Sequence, residues 1–235
     1  MKNNKNFYSN APLVETVFEI KFSGEPAIEC HRDKFYEKIK DKYFKILVPT
    51  ITEGKAIALE PYKFVCEDDF FGIMLSINKL AVFCKKYEGF NLFKEETLRI
   101  FSIFRELFKI KKIIRTGLRY INIIPFTREN NIIPLENYLN IRINLPKSIP
   151  TDFKNLKIIF ISQTKGGSIT TRIEPAISRD QTKEAIILDF DYAKEGTLNF
   201  DSIKNYLNES HLHTKHLFEE LITDRYRQVM LGEMI

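Results

Sequence analysis

Val14, Thr16, Phe18, Ile20 and Phe22 alternate with the charged Glu15, Glu19 and Lys21 behind Pro12. A period of two places one face of a strand against a core and the other in water, so a strand is predicted over residues 13–22. The same pattern returns about a hundred residues later at Ile114, Thr116, Leu118, Tyr120, Asn122 and Ile124, in a strand predicted over 112–126. Between them the period changes. Ile28, Phe35, Ile39 and Tyr43 recur at helical spacing after Pro26, which suits a first helical turn. Phe93, Thr97, Ile100, Phe101, Phe104, Leu107 and Phe108 form the broadest apolar stripe of the chain, with Lys, Glu and Arg opposite. Helices are predicted over 26–44 and 92–110.

Strands are predicted over 63–67, 72–77 and 80–86, the last two joined at Asn78-Lys79 as a hairpin. In the second half Pro134 opens a short helix to residue 139, and strands follow over 156–164, 168–174 and 185–192. Gly166-Gly167 supplies a tight turn. A long helix is predicted over 200–230, with Ile203, Leu207, Ser210, Thr214 and Leu217 near one stripe.

Each half therefore reads strand, helix, three strands, helix. The expectation is an α+β protein of two β-α-β-β-β-α pseudo-repeats, whose antiparallel sheet or sheets pack against long helices. This order resembles the topology of the TATA-binding and helix-grip folds, a likeness that implies architecture and no function. The divisions are a lead-in over residues 1–10, a first half over 11–110 and a second over 111–235, forming one compact unit.

Composition adds bounds. The 235 residues suffice for a sizeable core, and 20 Phe with no Trp make phenylalanine its main aromatic filler. No apolar run approaches the roughly 20 residues of a membrane span. The polar start lacks a signal-peptide pattern. Cys30, Cys66 and Cys84 form no paired framework, which fits a reducing compartment. The expected location is cytoplasmic. A net charge of +5, spread along the chain, is too mild to announce nucleic-acid binding.

Arg115, Gly117 and Arg119 share the wet face of the second opening strand, while Arg172 with Glu174 and Asp189 with Asp191 fall together on later strands. Gathered on one surface, the arginines could grip phosphate or carboxylate. The same residues could equally form cross-strand ion pairs on a solvated face. His211, His213 and His216 crowd the last helix without an acidic residue at metal-ligand spacing. Asp189 and Asp191 resemble half of a magnesium site. The Gly166-Gly167-Ser168 turn lies between strands and lacks the Lys of a phosphate loop.

Ala11-Pro12-Leu13-Val14-Glu15-Thr16-Val17-Phe18-Glu19-Ile20-Lys21-Phe22 resembles the opening strand of a sporadically distributed prokaryotic family, A-P-x-x-E-x-V-x-x-I-[RK]-F. Gly117-Leu118-Arg119-Tyr120-Ile121-Asn122 and Leu217-Phe218-Glu219-Glu220-Leu221-Ile222-Thr223-Asp224 resemble its centre and end. The family carries no assigned reaction. Its patchy occurrence implies a mobile-element or phage-defence setting.

The leading expectation is a non-enzymatic binding module acting with a protein partner or as a homodimer, without a cofactor, metal or membrane. Arg115, Arg119, Arg172, Glu174, Asp189 and Asp191 are its candidate surface. A sensor of small molecules or nucleotides, with its pocket between the sheet and the C-terminal helix, is the alternative, and nucleic acid stays open as a ligand. A third reading is a metal-dependent phosphodiesterase or nuclease built from Asp189, Asp191 and the histidines.

Overall fold

The computed structural model describes residues 8–48, 62–150, 153, 155–178, 180 and 182–232. Residues 1–7 of the lead-in lie outside them. Among the described residues the strands are β1 (Leu13–Phe22), β2 (Lys45–Leu47), β3 (Tyr62–Val65), β4 (Phe71–Ser76), β5 (Lys79–Cys84), β6 (Ile113–Phe126), β7 (Ile158–Gln163), β8 (Ser168–Ile177) and β9 (Glu184–Leu198). The helices are α1 (Ala27–Ile39), α2 (Phe90–Phe108), α3 (Ile203–Leu221) and α4 (Asp224–Leu231). All nine strands join one antiparallel sheet in the order β2-β3-β4-β5-β1-β6-β9-β8-β7. The fold is α+β.

The two strands with the clearest alternation are neighbours at its centre, with Phe18 opposite Leu118 and Ile20 opposite Thr116. Opposite residues in an antiparallel pair point to the same face, so the apolar rows of β1 and β6 merge under the helices. Phe18 is fully buried there, 5.4 Å from the Phe101 ring of α2 and 6.2 Å from the Tyr206 ring of α3. Phe22 lies 5.4 Å from Phe104, and Phe104 meets Phe35 of α1 edge-on at 6.3 Å. Tyr206 directs its hydroxyl at the main-chain oxygens of Thr116 and Tyr192, pinning α3 to β6 and β9. Among the described residues the other face of the sheet, here the open face, carries no helix.

On that open face Gly72 of β4 lies under the Phe83 ring of β5. An added Cβ would meet the ring at 2.5 Å and Val65 at 2.8 Å. Gly72 leaves the space that the buried Phe83 ring occupies. Gly72→Ala is expected to cost about 1–3 kcal/mol by overpacking, measured by urea unfolding.

Three sequence expectations need correction. Residues 134–139 form a single 3-10 turn, Leu135–Asn137, where a short helix was expected. The long helix over 200–230 is interrupted: a 3-10 turn precedes α3, and Ile222 is extended between α3 and α4. Ile222 bridges to Leu139, while Asn140 Nδ2 donates to the Ile222 carbonyl at 2.9 Å. Thr223 Oγ1 then accepts the Tyr226 N–H and caps α4. Long-range pairing with the 135–140 segment thus overrides local helix propensity. The third correction is β2, a three-residue edge strand too short to announce itself by alternation.

Candidate functional site

The open face gathers five of the six proposed residues into a ladder across three neighbouring strands. Arg119 of β6 is register partner of Asp191 on β9, and Arg172 of β8 is register partner of Asp189 on β9. The side chains pair diagonally. Arg119 donates Nε and Nη2 to the Asp189 carboxylate, each at 2.8 Å, and Arg172 adds Nη1 at 3.1 Å. Asp189 is 3% exposed although it stands on the open face, because the two guanidinium groups cover it. The Asp189 hydrogen bonds hold the Arg119 pKa above its usual value. Arg115 bridges Glu19 of β1 at 3.0 Å and Asp191 at 3.1 Å. Its guanidinium lies 3.0 Å from where a Gly117 Cβ would stand, so that glycine makes room for it. Glu174 sits two residues along β8 from Arg172, on the same face, and pairs with Lys157 at 2.6 Å.

This arrangement spends its charge internally. Each carboxylate at the centre is bonded to at least one arginine, and the face is a cross-strand ion-pair network. Asp189→Ala is expected to lower stability by about 1–3 kcal/mol, the scale of charge-assisted bonds to a buried partner. Equilibrium unfolding in low salt should show it.

The helix side holds a cavity of about 650 Å³. Its wall forms where the N-terminal Tyr8–Leu13 segment, the turn into α2, the β6–β9 strands and α3 come together. Tyr120 and Asn122 project from the core face of β6, and Phe90 comes from the first turn of α2. His211, Thr214 and Phe218 come from α3. The lining is aromatic and apolar with a few polar groups, the usual form of a small-molecule site.

His211 sits between an aromatic ring and a chain of hydroxyls. Its ring stacks on Phe90 at 3.8 Å between centroids and 6° between planes. Nδ1 lies 2.9 Å from the Tyr120 hydroxyl, which lies 3.3 Å from the Tyr87 hydroxyl. Burial, helped by Lys215 and Lys94, lowers the His211 pKa to about 4. Burial raises Tyr87 to about 12 and Tyr120 well above the ordinary tyrosine value. All three groups are therefore uncharged at neutral pH. The chain still has two senses: Tyr120 donates to Nδ1 in one imidazole tautomer and accepts from it in the other. Such a relay can meet either a donor or an acceptor on a polar, uncharged ligand. At the rim, Tyr8 donates to Glu219 at 2.8 Å, and Arg227 ties the same carboxylate to α4. Burial and the Glu219 carboxylate push Tyr8 up to about 12.

A neighbouring cavity of about 460 Å³ shares Tyr87, Glu88, Gly89 and Leu92 with the first. Its wall includes Glu96. Burial alone would raise the Glu96 pKa, but bonds from Arg99 and Tyr43 and the charge of Lys42 outweigh it and bring it to about 2.

The sheet separates the remaining candidates. Asp189 and Asp191 lie on the open face, whereas His211 reaches Tyr120 and His213 stacks on Tyr192 at 5.4 Å on the helix side. These carboxylates and imidazoles share no centre. Among the described residues no three His, Cys, Asp or Glu side chains gather closely enough to hold a metal. Tyr87, Phe90 and Tyr120 escape a reading by spacing, because they join His211 from distant parts of the chain. Their only trace in the sequence is aromatic character at the ends and core positions of predicted elements.

No family model matches the chain, and no curated protein matches it significantly. Among the described residues no helix is long and apolar enough to cross a membrane.

Proposed function

We propose that the chain is a binding module for a small, polar, aromatic molecule held between the sheet and α3. The observation that carries this is the 650 Å³ cavity with its uncharged Tyr87–Tyr120–His211 relay beside the Phe90 ring. Nucleosides fit the description, since they are uncharged and a base offers both a stacking face and mixed donors and acceptors. A ligand that binds only the folded state raises the melting temperature. A thermal-shift panel of nucleosides, nucleotides and aromatic amino acids is expected to yield at least one such shift. His211→Phe, which keeps the stack and removes the hydrogen bond, should abolish it.

The architecture reads as two pseudo-repeats of the TATA-binding or helix-grip kind. What supports this is the strand order outward from the β1–β6 seam: β5, β4, β3 on one side and β9, β8, β7 on the other. A long helix, α2 or α3, follows the last strand of each unit. The 3-10 turn at Leu135–Asn137 stands where the first unit has α1, a departure between the halves.

A second reading is association with a protein through the open face. Ile123, Ile159 and Ile161 favour it, since all three stay exposed on that face beside the ion pairs. A regulatory or phage-defence role accords with either reading.

A further inference from the structure

We propose that β7 is a dimerisation edge, and that its partner is the β7 strand of a second copy of this chain. The inference deepens the protein-association reading and is independent of the cavity.

Among the described residues β7 ends the sheet, so one row of its main-chain groups faces away from β8. The Thr164 N–H donates to the Gly167 carbonyl at 2.8 Å, which sets the alternation. Counting back by twos, Ser162, Phe160 and Ile158 bond β8, and Ile159, Ile161 and Gln163 turn their N–H and C=O groups to the free edge. Sheet edges are normally blunted by lysine, proline or a bulge. From Ile158 to Gln163 the strand has no charge and no proline, and its register with β8 is unbroken. Its open-face side chains, Ile159 and Ile161, are 51% and 63% exposed.

The strand is also self-complementary. A two-fold axis perpendicular to the sheet keeps both helix layers on one side, and it requires residues of like face to pair. Centring the axis on Phe160 sets Ile159 against Ile161 of the other copy, and Ile161 against Ile159. These are the residues whose main-chain groups face the edge, so each pair exchanges both hydrogen bonds. Four isoleucines then close over the seam on the open face. Charge is compatible with this register. Lys157 falls opposite Gln163, and the two Lys157 side chains stand about 20 Å apart along the strands, beyond the screening length at physiological salt. The nearest like charge to Lys157 is Lys165 of the other copy, two residues beyond Gln163, and the Lys157 ammonium is already paired with Glu174 at 2.6 Å.

Sedimentation velocity of the full chain over a range of concentrations tests this. The unaltered protein is expected to sediment as a dimer. Ile161→Lys, at an exposed position, should be monomeric with an unchanged far-UV circular dichroism spectrum. So should Ile161→Pro, because the N–H it removes faces the edge and not β8. Mixing Ile159→Glu with Ile161→Lys sets Glu against Lys in this register alone and should restore a dimer of unlike chains. The Arg115→Ala, Arg119→Ala chain should remain dimeric. A monomeric unaltered protein overturns the proposal and leaves the edge to a strand of another protein. A dimer that survives Ile161→Lys, or that is lost only in the arginine variant, overturns it as well.

Discussion

Phe18→Ala is expected to destabilise the protein by about 3–5 kcal/mol, the range for truncating a fully buried phenylalanine. Phe18 has no solvent exposure and stands where the central strand meets both long helices, against Phe101 and Tyr206. The void would lie beneath three elements that cannot close on it together, because β1 is fixed by β5 and β6 on its two sides. Urea unfolding should show a lower midpoint with an unchanged slope, as a loss of stability without a change in the surface exposed requires. The exposed Val14→Ala on the same strand is expected to move the midpoint by less than about 0.5 kcal/mol.

The second large effect is one of pH. The folded state holds the His211 pKa at about 4, below the ordinary value of 6.5. Between those values the unfolded chain binds the proton and the folded chain does not, so stability falls as pH drops. The contribution is fully present above about pH 6.5 and fully lost below about pH 4, with a total of about 3 kcal/mol. His211→Phe removes the proton site while keeping a ring against Phe90. Its stability curve should be flatter than that of the unaltered protein in that window. Glu96, with a folded pKa of about 2, acts lower. Its stabilisation is present above the ordinary carboxylate value and is lost as pH falls toward 2. The two steps are therefore separable by chemical denaturation at a series of pH values.

These two residues mark how far the sequence could be read. Phe18 was legible as core because alternation is local: Phe18, Ile20 and Phe22 alternate with Glu19 and Lys21, and the pleat turns that into a face. The α2 stripe was legible for the same reason at helical period. The juxtaposition of β1 and β6 was not, since pairing partners depend on contacts about a hundred residues apart. The interruption at Ile222 was hidden for a related reason. Thr223 ahead of Asp224 is a recognisable cap pair, but the pull on Ile222 comes from Leu139 and Asn140. On the open face, Arg115, Arg119, Arg172, Asp189 and Asp191 could be assigned to one side of their strands by parity alone. That they would neutralise one another required the register. His211 stood out only as one of three crowded histidines, and its partners Tyr87, Phe90 and Tyr120 belong to a predicted first half and the seam. A cavity is a property of what fails to meet, and no single segment records it.

The claim most in need of test is that the space between α3 and the sheet holds a ligand. Ala11→Trp places an indole at the cavity wall from an exposed position and should block entry without touching the core. The direct measurement is isothermal titration of the compound giving the largest thermal shift into the unaltered protein and into Ala11→Trp. Saturable binding to the first, absent from the second, is the predicted result. Equal binding to both, or no compound that shifts the unaltered protein at all, would contradict it.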